Sequence, residues 1–226
     1  MLTTRFRDRA EAGRMLAARL KAYAHRPGVV VLALPRGGVP VGYEIAKALH
    51  VPLDVFIVRK LGVPGHEELA MGAIASGGVR VLNEEVVAAL RLRDEVIDLV
   101  AEAERRELER RERLYRGDRP PLNMRGRTVI LVDDGIATGA TIRAAVIALY
   151  QQQPLRLIVA VPVAAADTCE ALRAEVDELV CVMTPEPFYA ISIWYEDFSP
   201  TTDEEVSAWL KRSAREQPTP LPSWEE

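Results

Sequence analysis

The stretch TVILVDDGIATGATIRAA, residues 128–145, divides into three parts. Thr128 to Val132 is a short apolar, β-branched run, the pattern of a strand covered on both faces. Asp133 and Asp134 stand where that strand ends. Gly135-Ile136-Ala137-Thr138-Gly139-Ala140-Thr141 follows as a loop of small and hydroxyl residues, and Ile142, Ala145, Val146 and Leu149 then recur at helical spacing. Gly135 and Gly139 allow φ > 0 and a close backbone approach. Successive N–H groups at a loop-to-helix junction form an anion cup, to which the helix dipole adds partial positive charge. Thr138 and Thr141 add hydroxyl donors. Two carboxylates beside such a cup would repel a phosphate but suit a vicinal diol or a hydrated divalent cation one sugar-length away. A plain βα connection is the alternative reading; the coincidence of paired acids, glycines and threonines favours a phosphorylated sugar.

Working outward, the residues from Val29 to Leu34 form another apolar strand, followed by Pro35-Arg36-Gly37-Gly38 and a helix expected over about 41–49. Arg36 beside two glycines suits a pyrophosphate. Leu53 to Val58 reads as the next strand, ending in Arg59 and Lys60, which would place two cations at the carboxyl edge where open α/β sheets bind ligands. After the central motif come a strand over 155–161, a helix near 167–174 and a strand over 178–183. Strands alternating with helices predict an α/β fold, a mostly parallel central sheet with helices on both faces. Loops that all follow strands then gather at one sheet edge.

Between these core segments, residues 62–78 begin as a Gly-rich loop and continue as a hairpin, 70–75 paired with 79–82. Glu67 and Glu68 read as solvated. Residues 84–116 are helical in pattern, with Asn83 and Asp94 as N-caps and Val96, Val100 and Ala103 on one face. Glu102/Arg106, Glu107/Arg111 and Glu109/Arg113 are at i,i+4 spacing. The expected division is a core over 1–62, a hairpin-and-helix flap over 63–120, the rest of the core over 121–212 and a tail over 213–226. The flap could shape an acceptor pocket or a homodimer contact. A first helix is expected over 8–24, with Ala12, Met15, Leu16 and Leu20 inward and Arg5, Arg7 and Arg9 in solvent. Residues 184–203 concentrate Phe188, Tyr189, Trp194, Tyr195 and Phe198; such rings can stack on a planar base or pack the terminus onto the core. Asp203 is expected to cap a last helix.

The net charge of −4 over 226 residues offers no broad basic field for nucleic acid. No apolar run is long enough to cross a bilayer. Cys169 and Cys181 are isolated in sequence and read as reduced thiols of a cytoplasmic protein. The three histidines are scattered, with no metal-ligand spacing.

VILVDDGIATGATI resembles the 5-phosphoribosyl 1-pyrophosphate (PRPP) motif of the type I phosphoribosyltransferases. The resemblance, which extends over roughly 29–183 without the helical insertion, implies a Mg2+-assisted transfer of the phosphoribosyl group from PRPP to a nucleobase-like acceptor. It implies that Asp133 and Asp134 hold the ribose hydroxyls, with the metal in their outer sphere, and that Gly135, Ala137, Thr138, Gly139, Ala140 and Thr141 surround the 5′-phosphate. Arg36, Gly37, Gly38, Arg59 and Lys60 would hold pyrophosphate, with a cis peptide expected around Arg36–Gly37, and Lys60, Arg59 and Asp134 would be catalytic. Phe188, Trp194 and Tyr195 would line the acceptor pocket. Ala137 stands where relatives acting on 6-oxopurines carry a carboxylate, which counts against that route. A PRPP- or nucleotide-sensing protein without turnover is the rival reading.

Overall fold

A computed structural model describes residues 5–117 and 119–216. Five strands form a parallel sheet: β1 (Val29–Ala33), β2 (Leu53–Val55), β6 (Thr128–Val132), β7 (Arg156–Val163) and β8 (Glu178–Met183), in the order β2-β1-β6-β7-β8. The expected α/β class holds. All five run parallel, so their carboxyl ends share one edge.

Strand side chains alternate between two apolar layers, as the period-2 pleat requires. Val29, Val31, Ala33, Ile130 and Val132 join the layer beneath α1 (Arg9–Arg19) and α2 (Gly38–Leu49). Val30, Leu32, Val129 and Leu131 join the layer beneath α5 (Ala140–Gln151) and α6 (Ala166–Arg173). Burial on both faces explains the uninterrupted apolar runs. Asp8 caps α1 by accepting from the Glu11 N–H at 2.7 Å. Leu16 and Leu20 are buried as expected, but Met15 is 45% exposed.

The main topological correction falls after β2. The expected strand over 53–58 breaks at Val55, and Val58–Val63 becomes β3 of a separate antiparallel sheet with β4 (His66–Ala75) and β5 (Val79–Leu82). The hairpin joining 70–75 to 79–82 is present; the strand before it is an addition to the expected pattern. Ser76 marks the break, its hydroxyl accepting from the Ile57 N–H at 3.0 Å.

α3 (Glu84–Leu90) is capped by Asn83, as expected, whereas α4 (Asp94–Arg116) includes Asp94 and starts from an uncapped Arg93. Its inward face consists of Ile97, Ala101, Leu108 and Tyr115, a rotation from the expected face that leaves Leu99 74% exposed. The pairs Glu102/Arg106 and Glu107/Arg111 form, while Glu109 pairs with Arg105. α7 (Asp203–Glu216) is capped one residue earlier than expected: Thr202 Oγ1 accepts from the Glu205 N–H at 3.2 Å, and Glu205 accepts from the Thr202 N–H at 2.7 Å, a capping box. The expected tail extends beyond residue 216, outside the described residues.

The end of α4 is tied to the core by a buried ion pair. Arg116 Nε lies 2.9 Å from Asp54 Oδ1, and Nη2 donates to Val55 O at 2.6 Å. Glu112 adds a third acceptor at 2.8 Å. Removing one partner of a buried pair strands the other charge. Arg116→Met is therefore expected to lower unfolding free energy by about 3–5 kcal/mol, measured by urea denaturation.

Candidate active site

The order β2-β1-β6-β7-β8 makes the gap between β1 and β6 a switch point: the chain leaves β1 toward β2 on one side and β6 toward β7 on the other. Their helices, α2 and α5, lie on opposite faces. Ligands of open α/β sheets occupy the crevice outside such a point.

The loops after these two strands are in direct contact. A Cβ on Gly37 would overlap Asp134 Oδ2, and one on Gly38 would lie 2.8 Å from Val132 O and 3.0 Å from Asp133 Cα. Only glycine permits this approach. The structure thus brings Gly37 and Gly38 onto Asp133 and Asp134, distant in sequence but adjoining in space. A cis peptide is present at Pro35–Arg36, one bond before the expected position. Arg36 is half exposed and lies 3.9 Å from Asp203, which also accepts from the Tyr115 hydroxyl at 2.6 Å.

Asp134 carries a partner that sequence reasoning missed. Arg9 Nε donates to Asp134 Oδ2 at 2.8 Å, with the two side chains only 11% and 13% exposed. Arg9 Nη1 also donates to Ser199 O at 2.7 Å, and the guanidinium stands 4.0 Å over the Phe198 ring. The expected solvated arginine is therefore a buried one. Asp133 Oδ1 accepts from the Asp134 N–H at 2.9 Å. Burial, then the neighbouring Asp134 charge, pushes Asp133 well above the usual carboxylate range. Burial also raises Asp134, while Arg9 opposes that rise.

The loop over 135–141 is ordered from its far side. Ile136 O accepts from the Ala165 N–H at 3.1 Å, Ala137 O from Thr168 Oγ1 at 2.8 Å, Thr138 O from Arg143 Nη1 at 3.2 Å, and Gly139 O from the Arg143 N–H at 2.9 Å. In a planar trans peptide the C=O and the next N–H point oppositely. Four carbonyls turned toward α6 and α5 thus turn the N–H groups of Ala137, Thr138, Gly139 and Ala140 away from those helices. Gly139 holds φ 78°, and a Cβ there would meet Thr168 Cγ2 at 2.8 Å. Ala137, Thr138, Ala140 and Thr141 are exposed on this open face.

Other expected site residues lie elsewhere. Arg59 and Lys60 are within β3, not at a parallel strand's end; their ion pairs run to Glu104 of α4 at 2.5 Å and Glu68 of β4 at 3.7 Å. Tyr195 is 3% exposed, packs with Phe6, and donates its hydroxyl to Asp134 O at 2.6 Å. It tethers the corner and offers no ring face to a base. Phe188 and Trp194 pack half-buried on the same cluster. Ile191 covers Gly135, its Cγ2 only 2.6 Å from where a Cβ would stand. A cleft of about 220 Å3 is lined by Arg9 itself with Asp8, Pro40, Ser199 and Trp209, and does not include Thr138. Among the described residues no group of three or more His, Cys, Asp or Glu side chains could hold a metal ion, and no helix is long and apolar enough to cross a membrane.

An α/β sheet with its crevice at the switch point defines a ligand-handling domain, and comparison places it further. The phosphoribosyl transferase domain model matches residues 5–191. A Mycobacterium tuberculosis protein provisionally named as a phosphoribosyl transferase, known from two strains as MT0597 and Rv0571c, is in both forms 46% identical over 211 residues, 93% of this chain and 47% of its own length. The crystal structure of TT1426 from Thermus thermophilus is 43% identical, with a TM-score of 0.81 over 92% of this chain and 99% of that one. The chain belongs to the phosphoribosyl transferase family, a family of pentosyltransferase enzymes. It spans about half the length of the curated relatives it matches.

A carboxyl group whose pKa is higher in the folded state takes up a proton on folding. Stability then falls as pH rises from the unfolded value, about 4, through the raised folded value. Asp133→Asn keeps the Oδ1 acceptor and removes that charge. The variant is expected to melt at a higher temperature than wild type at pH 7, with the difference closing as pH falls toward 4, as followed by thermal denaturation at a series of pH values.

Proposed function

We propose that this protein transfers the 5-phosphoribosyl group of PRPP to a nitrogen acceptor, releasing pyrophosphate. One observation supports this reading above the others: the outward-turned N–H groups of residues 137–140 stand beside the Asp133–Asp134 pair. An anion cup adjoining two carboxylates matches a sugar with a phosphate at one end and a vicinal diol a few atoms away. Ala137 to Thr141, with the Thr138 and Thr141 hydroxyls, hold the 5′-phosphate. Asp133 and Asp134 accept hydrogen bonds from the ribose hydroxyls, and Arg9 orients Asp134 from behind.

The pyrophosphate lies along Arg36, Gly37 and Gly38, whose contact with the acids sets its distance from C1′. As the C1′–O bond to pyrophosphate breaks and the C1′–N bond forms, positive charge grows on the ring, as in other glycosyl transfers. Asp133 and Asp134 face that charge, while Arg36 faces the negative charge gathering on the leaving group. Arg59 and Lys60 join it by exchanging Glu104 and Glu68 for leaving-group oxygens. The acceptor approaches under residues 188–191, where Ile191 covers Gly135.

Two carboxylates, one committed to Arg9, make a poor cage for a bare metal ion but fit the outer sphere of a hydrated Mg2+ that arrives with PRPP. Mg2+ would supply charge neutralisation on the pyrophosphate oxygens.

Mixing the protein with Mg–PRPP and a panel of purine, pyrimidine and amine acceptors should release pyrophosphate with at least one of them. Tight PRPP binding with no release from any acceptor would favour a sensor. Asp134→Asn is expected to weaken PRPP binding by about 1.5–3 kcal/mol, the worth of a charged hydrogen bond. An unchanged calorimetric affinity would overturn the diol clamp.

A further inference from the structure

The anion cup is shaped by contacts on its outer side, and the most specific of them comes from a different βα unit. Thr168 lies in the first turn of α6, which follows β7, the strand neighbouring β6. Its hydroxyl donates to Ala137 O at 2.8 Å, and its methyl group faces Gly139 so closely that a Cβ there would stand 2.8 Å away. The hydroxyl is thus fixed against one peptide of the loop and the methyl against the next turn of it.

We propose that Thr168 is a positioning residue for the sugar-phosphate site, acting on the ligand solely through the 137–138 peptide. Holding Ala137 O toward α6 holds the Thr138 N–H away from α6, because the two are antiparallel across a planar trans unit. Without that donor, the carbonyl is free to rotate into the cup, where its partial negative charge would oppose a phosphate. A single peptide rotation would convert a donor of the cup into an acceptor. Arg143 braces the next peptide in the same way: its guanidinium donates to Thr138 O at 3.2 Å and is itself held by Glu175, 3.0 Å away and two residues past the end of α6. Both struts reach the loop from the side away from ligand, so neither needs to touch it.

The proposal rests on the sugar-phosphate reading given under Proposed function, and two ligands separate the two ideas. Ribose 5-phosphate occupies the cup; inorganic pyrophosphate occupies the Arg36–Gly38 loop, which Thr168 does not touch. Calorimetry of the full chain should show Thr168→Val, which keeps the methyl facing Gly139, binding ribose 5-phosphate about tenfold more weakly, the worth of one hydrogen bond. Its pyrophosphate affinity should stay within about twofold of wild type, and Thr168→Ser, which restores the hydroxyl, should recover ribose 5-phosphate binding to a similar margin on the same scale. Arg143→Met should show the same ligand-selective loss, which keeps the test available should Thr168→Val fold poorly. Unchanged ribose 5-phosphate binding in both variants overturns the brace, as do equal losses for the two ligands. Wild-type protein that binds pyrophosphate but not ribose 5-phosphate overturns the sugar-phosphate reading itself, and the brace with it.

Discussion

Two adjacent carboxylates at the end of a buried strand form the constraint that most of this structure answers. Placing like charges side by side in a poorly solvated corner is unfavourable unless each finds donors. Asp133 finds the backbone N–H of Asp134, and Asp134 finds Arg9. Arg9 must then be delivered from α1, and it is held there by Phe198 and Ser199 from the other end of the chain. Tyr195 closes the same corner by donating to Asp134 O. The N-terminal helix, the aromatic segment and the β6 corner are therefore one connected unit, assembled around a charge pair that contributes nothing favourable to the core by itself. Unfavourable charge placement of this kind clusters at ligand sites in folded proteins.

Much of this was legible in the chain because the relevant signals are local. β6, its acids and the glycine turn lie within a single window, and both-face burial leaves a continuous apolar run that periodicity detects directly. The same holds for β1 and β7. What was not legible depended on partners far along the chain. Arg9 looks like any first-turn arginine until β6 is placed 125 residues away. The inward face of α4 is ambiguous in sequence because Val96 and Ile97 are both apolar and adjacent, so the pattern allows two faces 100° apart; the contact with β3 and β4, absent from a helical wheel, selects Ile97. The break at Val55 was hidden because Leu53 to Val58 is apolar but for Asp54, and such runs do not reveal whether one sheet or two will take them. Its consequence was larger than its size, since it moved Arg59 and Lys60 out of the main sheet and into the hairpin sheet.

The aromatic segment shows why composition alone leaves roles open. Five rings within a short stretch suit either stacking on a base or packing of a terminus, and the two readings differ only in which ring faces remain open. Tyr195 resolves toward packing because its hydroxyl has a buried carbonyl to satisfy; a tyrosine buried this deeply normally has such a partner. Tyr189, by contrast, is 80% exposed and contributes to no cluster. Residues of one composition class, a few positions apart, thus serve opposite purposes according to backbone position.

Asp203 joins parts of the molecule that sequence order keeps apart. It receives the Tyr115 hydroxyl from the end of α4 and lies near Arg36 in the loop after β1, while itself opening α7. Burial, then the hydrogen bond to Asp203, pushes the Tyr115 phenol well above its usual range, so this contact persists as a neutral donor to a carboxylate at any physiological pH. α4 is also fixed at that end by Arg116 on Asp54, so it cannot shift there without disturbing β2. Along its length Ile97, Ala101 and Leu108 pack it against β3 and β4, with the part-exposed Arg59–Glu104 pair beside them. The hairpin sheet is itself held from the other side, where Ala75, Val79 and Val81 join the apolar layer beneath α5 and Gln152 donates to Ser76 O at 2.9 Å. Arg59 and Lys60 therefore stand on a sheet packed between α4 and α5, where their long side chains are the parts free to exchange one acidic partner for another.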